Sequence, residues 1–125
     1  MMCLPETRNG IHCFAYTGTE VAKYVEPGKL FFFPVLAPCG LLFCVLGDDN
    51  DDEEDNELQE IIALDAQTLQ LRHRFGRSLL NEAGGMAVVG EELFVCDTGN
   101  DRLQVFSLAG EHRRSITGEW KRPLA

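Results

Sequence analysis

Residues 84–117 contain four short strand-like segments separated by turn-forming residues, and this pattern recurs upstream in the chain. The segments are 86–89, 93–96, 103–108 and 112–116, and glycine, aspartate or asparagine lies in the connections between them. Short segments bounded by such residues are typical of antiparallel strands joined by tight turns. Four of them in succession predict one antiparallel meander.

Two upstream stretches align with this unit. Segment 11–18 aligns with 103–110, so that Phe14 falls on Phe106 and Gly18 on Gly110, which suits two repeats of about 46 residues. A middle repeat aligns at an offset of 51 residues, with 42–45 on 93–96, and continues with strands at 60–64 and 69–75. Segment 42–45 is apolar at every position, as a strand in a sheet covered on both faces requires, whereas 69–75 alternates like an outer strand.

The segment ELFVCDTGNDRLQVF, residues 92–106, resembles the NHL repeat. The hallmark of that family is a strand ending in an Asp-Thr-Gly-Asn turn, followed by a basic residue and a strand similar to Leu-Gln-Val-Phe. The match is closest over 84–117, weaker over 6–25 and weakest over 30–77, where an acidic stretch replaces the turn. The resemblance implies β-propeller blades that bind proteins or RNA.

We therefore expect an all-β fold, an open arc of four-stranded antiparallel β-propeller blades that forms an incomplete propeller. Its parts are the second half of a blade with two strands at 1–27, a divergent blade at 28–77 with an acidic loop insertion at 48–60, a well-matched NHL blade at 78–117, and the start of a truncated next blade at 118–125. Propellers close with four to eight blades, so two and a half cannot close. We expect the chain to be a fragment of a longer coding region or to assemble with other chains.

The net charge of −9 is concentrated in one place. Nine carboxylates lie between Asp48 and Glu60, and the remainder of the chain carries 11 acidic and 11 basic residues. A neutral body with an acidic loop disfavours nucleic-acid binding, since phosphate would be repelled.

An EF-hand calcium loop could use four residues with the required spacing: Asp49, Asp51, Glu53 and Glu60. Glu54 occupies the position where that motif needs glycine, so a solvated loop is preferred.

Residues 30–47 carry no charge and are long enough to raise the alternative of a single-pass membrane protein. Pro34, Pro38 and Gly40 interrupt the stretch, which favours two buried strands instead.

The chain contains no Cys-x-x-Cys pair, and its five cysteines are Cys3, Cys13, Cys39, Cys44 and Cys96. Most lie in apolar runs, which predicts buried reduced thiols in a cytoplasmic protein.

The candidate contact residues form the turn of the best-matched repeat: Asp97, Asn100, Asp101 and Arg102. The side chains of Asp97 and Asn100 are expected to hold the turn by accepting hydrogen bonds from backbone amides, and Arg102 would lie at the edge of the third strand. The turn would lie on a propeller rim, where loops make contacts. The sequence thus predicts a non-catalytic scaffold that binds partner proteins and uses no cofactor.

The enzymatic alternative is a fragment of an NHL-like zinc lyase or hydrolase. The chain contains three histidines, His12, His73 and His112, which lie in strand segments of different repeats, and converging metal ligands are not expected from them. Ser78, Ser107 and Ser115 lack the Gly-x-Ser-x-Gly setting of a nucleophile. The sequence therefore predicts no catalytic residue and no metal site.

Overall fold

The computed structural model describes residues 2–6, 8–48, 59–77, 79–80, 83–98 and 102–117. These residues form ten strands and no α-helix: β1 (Met2–Glu6), β2 (Arg8–Phe14), β3 (Glu20–Leu36), β4 (Leu41–Asp48), β5 (Glu60–Asp65), β6 (Leu71–Phe75), β7 (Ala83–Val89), β8 (Glu92–Asp97), β9 (Arg102–Ser107) and β10 (His112–Thr117). The predicted all-β class is confirmed. The calcium-loop alternative, Ser78 and the predicted next blade at 118–125 involve segments outside the described residues.

The strands form two open antiparallel sheets, each a meander in which neighbours in sequence are neighbours in space. The first sheet has six strands in the order β1 to β6, and the second has four in the order β7 to β10. The four strands predicted between residues 84 and 117 are β7 to β10. Strand β1 was not predicted.

Strand β3 is 17 residues long and takes part in two different parts of the six-stranded sheet. Its first half, from Glu20 to Val25, pairs with β2, and its second half, from Lys29 to Leu36, pairs with β4. Strand β2 also reaches the second half through one pairing, of Arg8 with Leu30. Between the halves, Gly28 has a positive φ of 80°, a conformation that glycine adopts without steric cost. The predicted boundary at residues 27 and 28 lies at this transition.

The N-terminal half of β3 folds over the rest of its own sheet. Arg74 on β6 lies three strands away from β3 in the ladder, yet its guanidinium donates to Glu26 and to the hydroxyl of Tyr24, 3.2 Å away. The same guanidinium donates to Glu60 at 3.0 Å. A flat sheet could not bring Arg74 to Glu26, so the chain forms three layers: β1, β2 and the first half of β3; then the second half of β3 with β4 to β6; then β7 to β10.

Strands β4 and β5 lie in the middle layer and are covered on both faces. One face packs under the first layer in a cluster of buried residues: Ile11, Cys13, Phe31, Leu42, Cys44, Leu46, Ile62, Leu64 and Leu69. The other face packs against the four-stranded sheet in a second cluster: Ala37, Phe43, Val45, Ile61, Ala63, Leu80, Ala83, Leu93, Val95 and Phe106. Consecutive apolar residues in these strands are explained by this two-sided burial.

Residues 30–47 form most of the second half of β3, a tight turn and most of β4, where the membrane alternative requires a helix. Among the described residues, no helix is long and apolar enough to cross a membrane.

The expectation that the cysteines are reduced is wrong for one of them. Cys39, Cys44 and Cys96 are thiols, whereas Cys13 is disulfide-bonded. The prediction failed because β1 was not foreseen, and β1 pairs with β2 in a register that sets Cys3 opposite Cys13. Disulfides are typical of oxidising compartments, so the cysteines no longer argue for the cytoplasm.

Three hairpins share one turn geometry over five residues, with glycine at the fourth position. In the turn 107–111, the amide of Ser107 donates to the carbonyl of Glu111 at 2.8 Å, and the amide of Gly110 donates back to Ser107 at 3.0 Å. The turns 15–19 and 37–41 have the same two hydrogen bonds. Their glycines have φ of 93°, 89° and 93°, and the turns at Gly18 and Gly110 are the pair that the sequence alignment superposed.

Gly18 and Gly110 provide a matched test of packing between the layers, because both have a φ of 93°. A Cβ at Gly18 would meet nothing within 4 Å, whereas a Cβ at Gly110 would lie 2.9 Å from Cδ1 of Phe75. We expect Gly18→Ala to lower the free energy of unfolding by about 1 kcal/mol and Gly110→Ala by about 2–4 kcal/mol. Urea denaturation of both variants measures the difference, and equal losses would show that Gly110 does not pack against β6.

Candidate functional site

The predicted contact residues Asp97 and Arg102 lie opposite each other at the adjoining ends of β8 and β9. The carboxylate of Asp97 is fully buried, and its Oδ2 accepts a hydrogen bond from Nε of Arg102 at 3.0 Å. Arg102 also donates from Nη2 to the carbonyl of Leu79 at 3.3 Å. The pair therefore fastens the segment between the two sheets to the end of the four-stranded sheet. Asn100 and Asp101, the other two predicted contact residues, lie outside the described residues.

Gln104, a fully buried residue of β9, extends this pair into a network. Its Nε2 donates to Oδ2 of Asp97 at 3.3 Å and to the carbonyl of Leu79 at 3.4 Å. Both of these atoms are acceptors, so the amide orientation is fixed and Oε1 must point towards β10. There Oε1 accepts from Oγ of Ser115 at 2.6 Å and lies 2.8 Å from Nε2 of His112.

Ser115 and His112 are close enough to suggest a nucleophile and its base, since Oγ lies 3.4 Å from Nε2. Their shared partner excludes that role in this geometry. Nε2 of His112 must carry its proton to donate to Oε1 of Gln104, so the same nitrogen cannot accept the proton of Ser115. The network is an arrangement of satisfied hydrogen bonds that orders the sheet.

Sequence reasoning identified Asp97 and Arg102 but not the residue that connects them to β10. The available signal was Gln104 itself, a polar residue within the apolar segment 103–106. A polar side chain in a buried strand needs hydrogen-bond partners, and this requirement could have pointed to Asp97 and to β10. The participation of the Leu79 carbonyl could not be foreseen, because it depends on the path between the sheets.

The three histidines lie on three different strands: β2, β6 and β10. Nδ1 of His12 is hydrogen-bonded to the carboxylate of Glu20, and Nε2 of His73 is buried without a hydrogen-bond partner in the described structure. Within the described ranges, no three histidine, cysteine, aspartate or glutamate residues are grouped so that they could hold a metal ion.

A cleft of about 600 Å³ lies at the opposite end of the four-stranded sheet from Asp97. Strand β8 begins beside the cleft and reaches Asp97 after six residues, which is roughly 17 Å of extended chain. Three hairpin turns meet there: the turn 37–41 of the six-stranded sheet, and the turns at 90–91 and 107–111 of the four-stranded sheet. The cleft is open to solvent, and it could not be predicted from the sequence because its walls come from both sheets.

The lining of the cleft combines apolar and charged groups: Pro38, Cys39, Gly90, Glu91, Ser107, Leu108, Ala109, Glu111 and Arg113. Ser107 and Glu111 are fixed within their turn, because the amide of Glu111 donates to Oγ of Ser107 at 3.0 Å. Glu91 and Arg113 are exposed, and Cys39 is an exposed thiol. The arrangement offers hydrogen-bonding and charged groups on an ordered frame.

The rim beside the cleft is held by a charge cluster. Arg114 donates two hydrogen bonds to the carboxylate of Glu92, at 2.8 and 3.1 Å, and Arg113 lies 3.5 Å from the same group. The hydrogen bonds from Arg114 lower the pKa of Glu92, and Glu92 in turn raises the pKa of Arg114. The ion pair of Glu92 and Arg114 therefore lies next to Arg113, which lines the cleft.

No protein-family model and no curated protein sequence matches the chain. Among solved structures, a protein of unknown function from Bacteroides caccae is similar with a TM-score of 0.59 and 10% sequence identity. The match covers 87% of this chain and 39% of that one, so the chain spans about two fifths of the length of the solved protein. At this identity the similarity is one of fold alone.

Proposed function

We propose that this chain is a non-catalytic protein-interaction scaffold that binds an extended segment of a partner protein in the cleft between its hairpin turns. The observation that carries the proposal is the convergence of three turns from two sheets around one open cleft of about 600 Å³. Turns on a rigid β-scaffold are common positions for binding residues. An open cleft suits an extended segment of a protein better than an enclosed small molecule.

The propeller interpretation belongs to this proposal, and the stacking of the layers supports it. Each of the last two layers is a four-stranded meander, and the faces of successive layers pack against each other. The repeated turn geometry at 15–19 and 107–111 agrees with the repeat alignment. We propose that the layers are NHL-like blades, the first of them incomplete, and that further blades or other copies of the chain complete the array.

The partner segment is expected to carry both apolar and charged residues. Pro38 and Leu108 provide apolar contacts, while Glu91 and Glu111 face the cleft with carboxylates and Arg113 with a guanidinium. Such a mixed lining gives affinity through the apolar contacts and orientation through the charges. A cytoplasmic location stays an expectation from the sequence, and the disulfide at Cys13 argues against it.

Peptide selection on the immobilised chain tests the proposal with a matched pair of variants. Ala109→Arg places a large side chain in the cleft, and Thr17→Arg places the same side chain at the equivalent position of the turn 15–19, outside the cleft. We expect selected peptides to bind the wild type at roughly micromolar concentrations. Ala109→Arg should weaken binding at least about tenfold, and Thr17→Arg should leave the dissociation constant within about twofold.

Two outcomes would contradict the proposal. Either the selection enriches no peptide over a blank surface, or calorimetric titration shows that the enriched peptides bind Ala109→Arg as tightly as they bind the wild type. Both substituted residues are exposed, so a loss of binding by Ala109→Arg alone cannot be attributed to unfolding.

A further inference from the structure

In the repeat alignment, the outer face of the four-stranded sheet is equivalent to one face of the first layer and one face of the middle layer. Both of those faces are buried within the chain. At the offset of 51 residues, Phe43 and Val45 of β4 correspond to Phe94 and Cys96 of β8. Phe43 and Val45 are fully buried because the four-stranded sheet covers them. Phe94 and Cys96 face away from that core and are only partly buried.

The third strands of the layers show the same relation. Ile11 and Cys13 of β2 are fully buried against the middle layer. In the alignment they correspond to Leu103 and Val105 of β9. Leu103 and Val105 lie on the same outer face as Phe94 and Cys96, because Cys96 is paired with Leu103 and Phe94 with Val105. Val105 is fully buried at the centre of this face, whereas Leu103, Phe94 and Cys96 are partly exposed. In the first and middle layers, the equivalent face is thus covered by the layer that follows in the chain.

In the described structure, this outer face also includes an arginine of β10 and two exposed residues of β7. The guanidinium of Arg114 lies 5.8 Å from the ring centre of Phe94, and it is held there by Glu92. Ala87 and Val89 of β7 are exposed on the same face, Val89 by 62%. The face is therefore mainly apolar, with one ion pair towards its outer edge.

The complementary surface lies at the other end of the stack, on the outer face of β2 and β3. His12 and Phe14 there align with Gln104 and Phe106, whose side chains point from the four-stranded sheet towards the middle layer. The same outer face exposes Val21 and Val25 by 51% and 46%. It is thus the repeat equivalent of a surface that already docks onto a preceding layer within the chain.

We propose that a second copy of this chain docks the outer face of its β2 and β3 onto the outer face of the four-stranded sheet, in a head-to-tail arrangement. The argument is continuity: the contact repeats the two layer-to-layer interfaces that the chain already forms. An interface of this kind joins two different surfaces, and two copies related by a closed rotation cover both outer faces of each. This inference rests on the proposed blade architecture, in which it makes a second copy the element that completes the array, and it does not depend on the cleft.

Light scattering after size-exclusion chromatography tests the proposal at roughly 50 µM chain, because dimerisation depends on concentration. The wild type should elute with twice the chain mass of 13.9 kDa. Ala87→Lys on one face and Val25→Lys on the other should each give monomers, since both residues are exposed on the faces that dock. Tyr16→Lys, at a residue that is 87% exposed in a turn, should leave the dimer intact.

Mixing the two interface variants distinguishes head-to-tail docking from association of identical faces. Ala87→Lys keeps an intact β2–β3 face and Val25→Lys keeps an intact four-stranded face, so an equimolar mixture should form heterodimers while each variant alone does not. A monomeric wild type, or a Val25→Lys variant that dimerises as well as the wild type, would overturn the proposal. Far-ultraviolet circular dichroism of each variant checks that the fold is kept.

Discussion

Phe106→Ala is expected to lower the free energy of unfolding by about 3–5 kcal/mol, the largest effect of any single substitution discussed for this chain. Phe106 is fully buried between the two sheets, where its ring centre lies 5.0 Å from that of Phe75 and 5.4 Å from that of His112. Truncation removes these ring contacts and leaves a cavity where the sheets meet, and neither sheet can close it without moving the other.

The measurement is urea denaturation followed by circular dichroism, with Tyr16→Ala as the control. Tyr16 is 87% exposed, so its truncation should change the free energy of unfolding by less than about 0.5 kcal/mol. If Phe106→Ala were as stable as the control, the two sheets could not be packed face to face through this residue.

Asp97→Ala is expected to lower the free energy of unfolding by about 2–4 kcal/mol, because it leaves two donors without their buried acceptor. The donors are Nε of Arg102 and Nε2 of Gln104, at 3.0 and 3.3 Å from Oδ2. The guanidinium of Arg102 is 31% exposed and can regain some hydration, which keeps the loss below that of a fully buried ion pair.

Glu91→Ala is the matched control for this substitution, since it removes the same charge from an exposed position of the same sheet. Its effect on the free energy of unfolding should stay within about 0.5 kcal/mol. Equal effects of the two substitutions, measured by urea denaturation, would mean that Asp97 contributes only its charge and that the network through Gln104 does not order the sheet.

The strands of the last two layers could be predicted because turn residues bound them and because apolar runs mark two-sided burial. Strand β1 could not, since it contains Pro5 and shows no alternation, and proline is tolerated there because β1 is an edge strand. The length of β3 was also missed. Pro27 and Gly28 predicted the end of a strand, whereas in the fold they lie where one continuous strand changes its pairing partner from β2 to β4.

The candidate sites were predictable to different degrees. The pair of Asp97 and Arg102 follows from local sequence, because only four residues separate the end of β8 from the start of β9. The cleft does not, since Pro38 and Leu108 are 70 residues apart in sequence and meet only because the sheets stack. Such long-range placement depends on the packing of whole layers, which no local pattern encodes.

The continuity of β3 from Glu20 to Leu36 has a consequence for how the molecule opens. One backbone supplies hydrogen bonds to β2 in the first layer and to β4 in the middle layer, so these two layers share a single cooperative unit. The four-stranded sheet follows through the segment 76–82 and shares no strand with them. We therefore expect amide protection against hydrogen exchange to divide at the boundary between β6 and β7, with the first two layers exchanging together and the last layer exchanging separately.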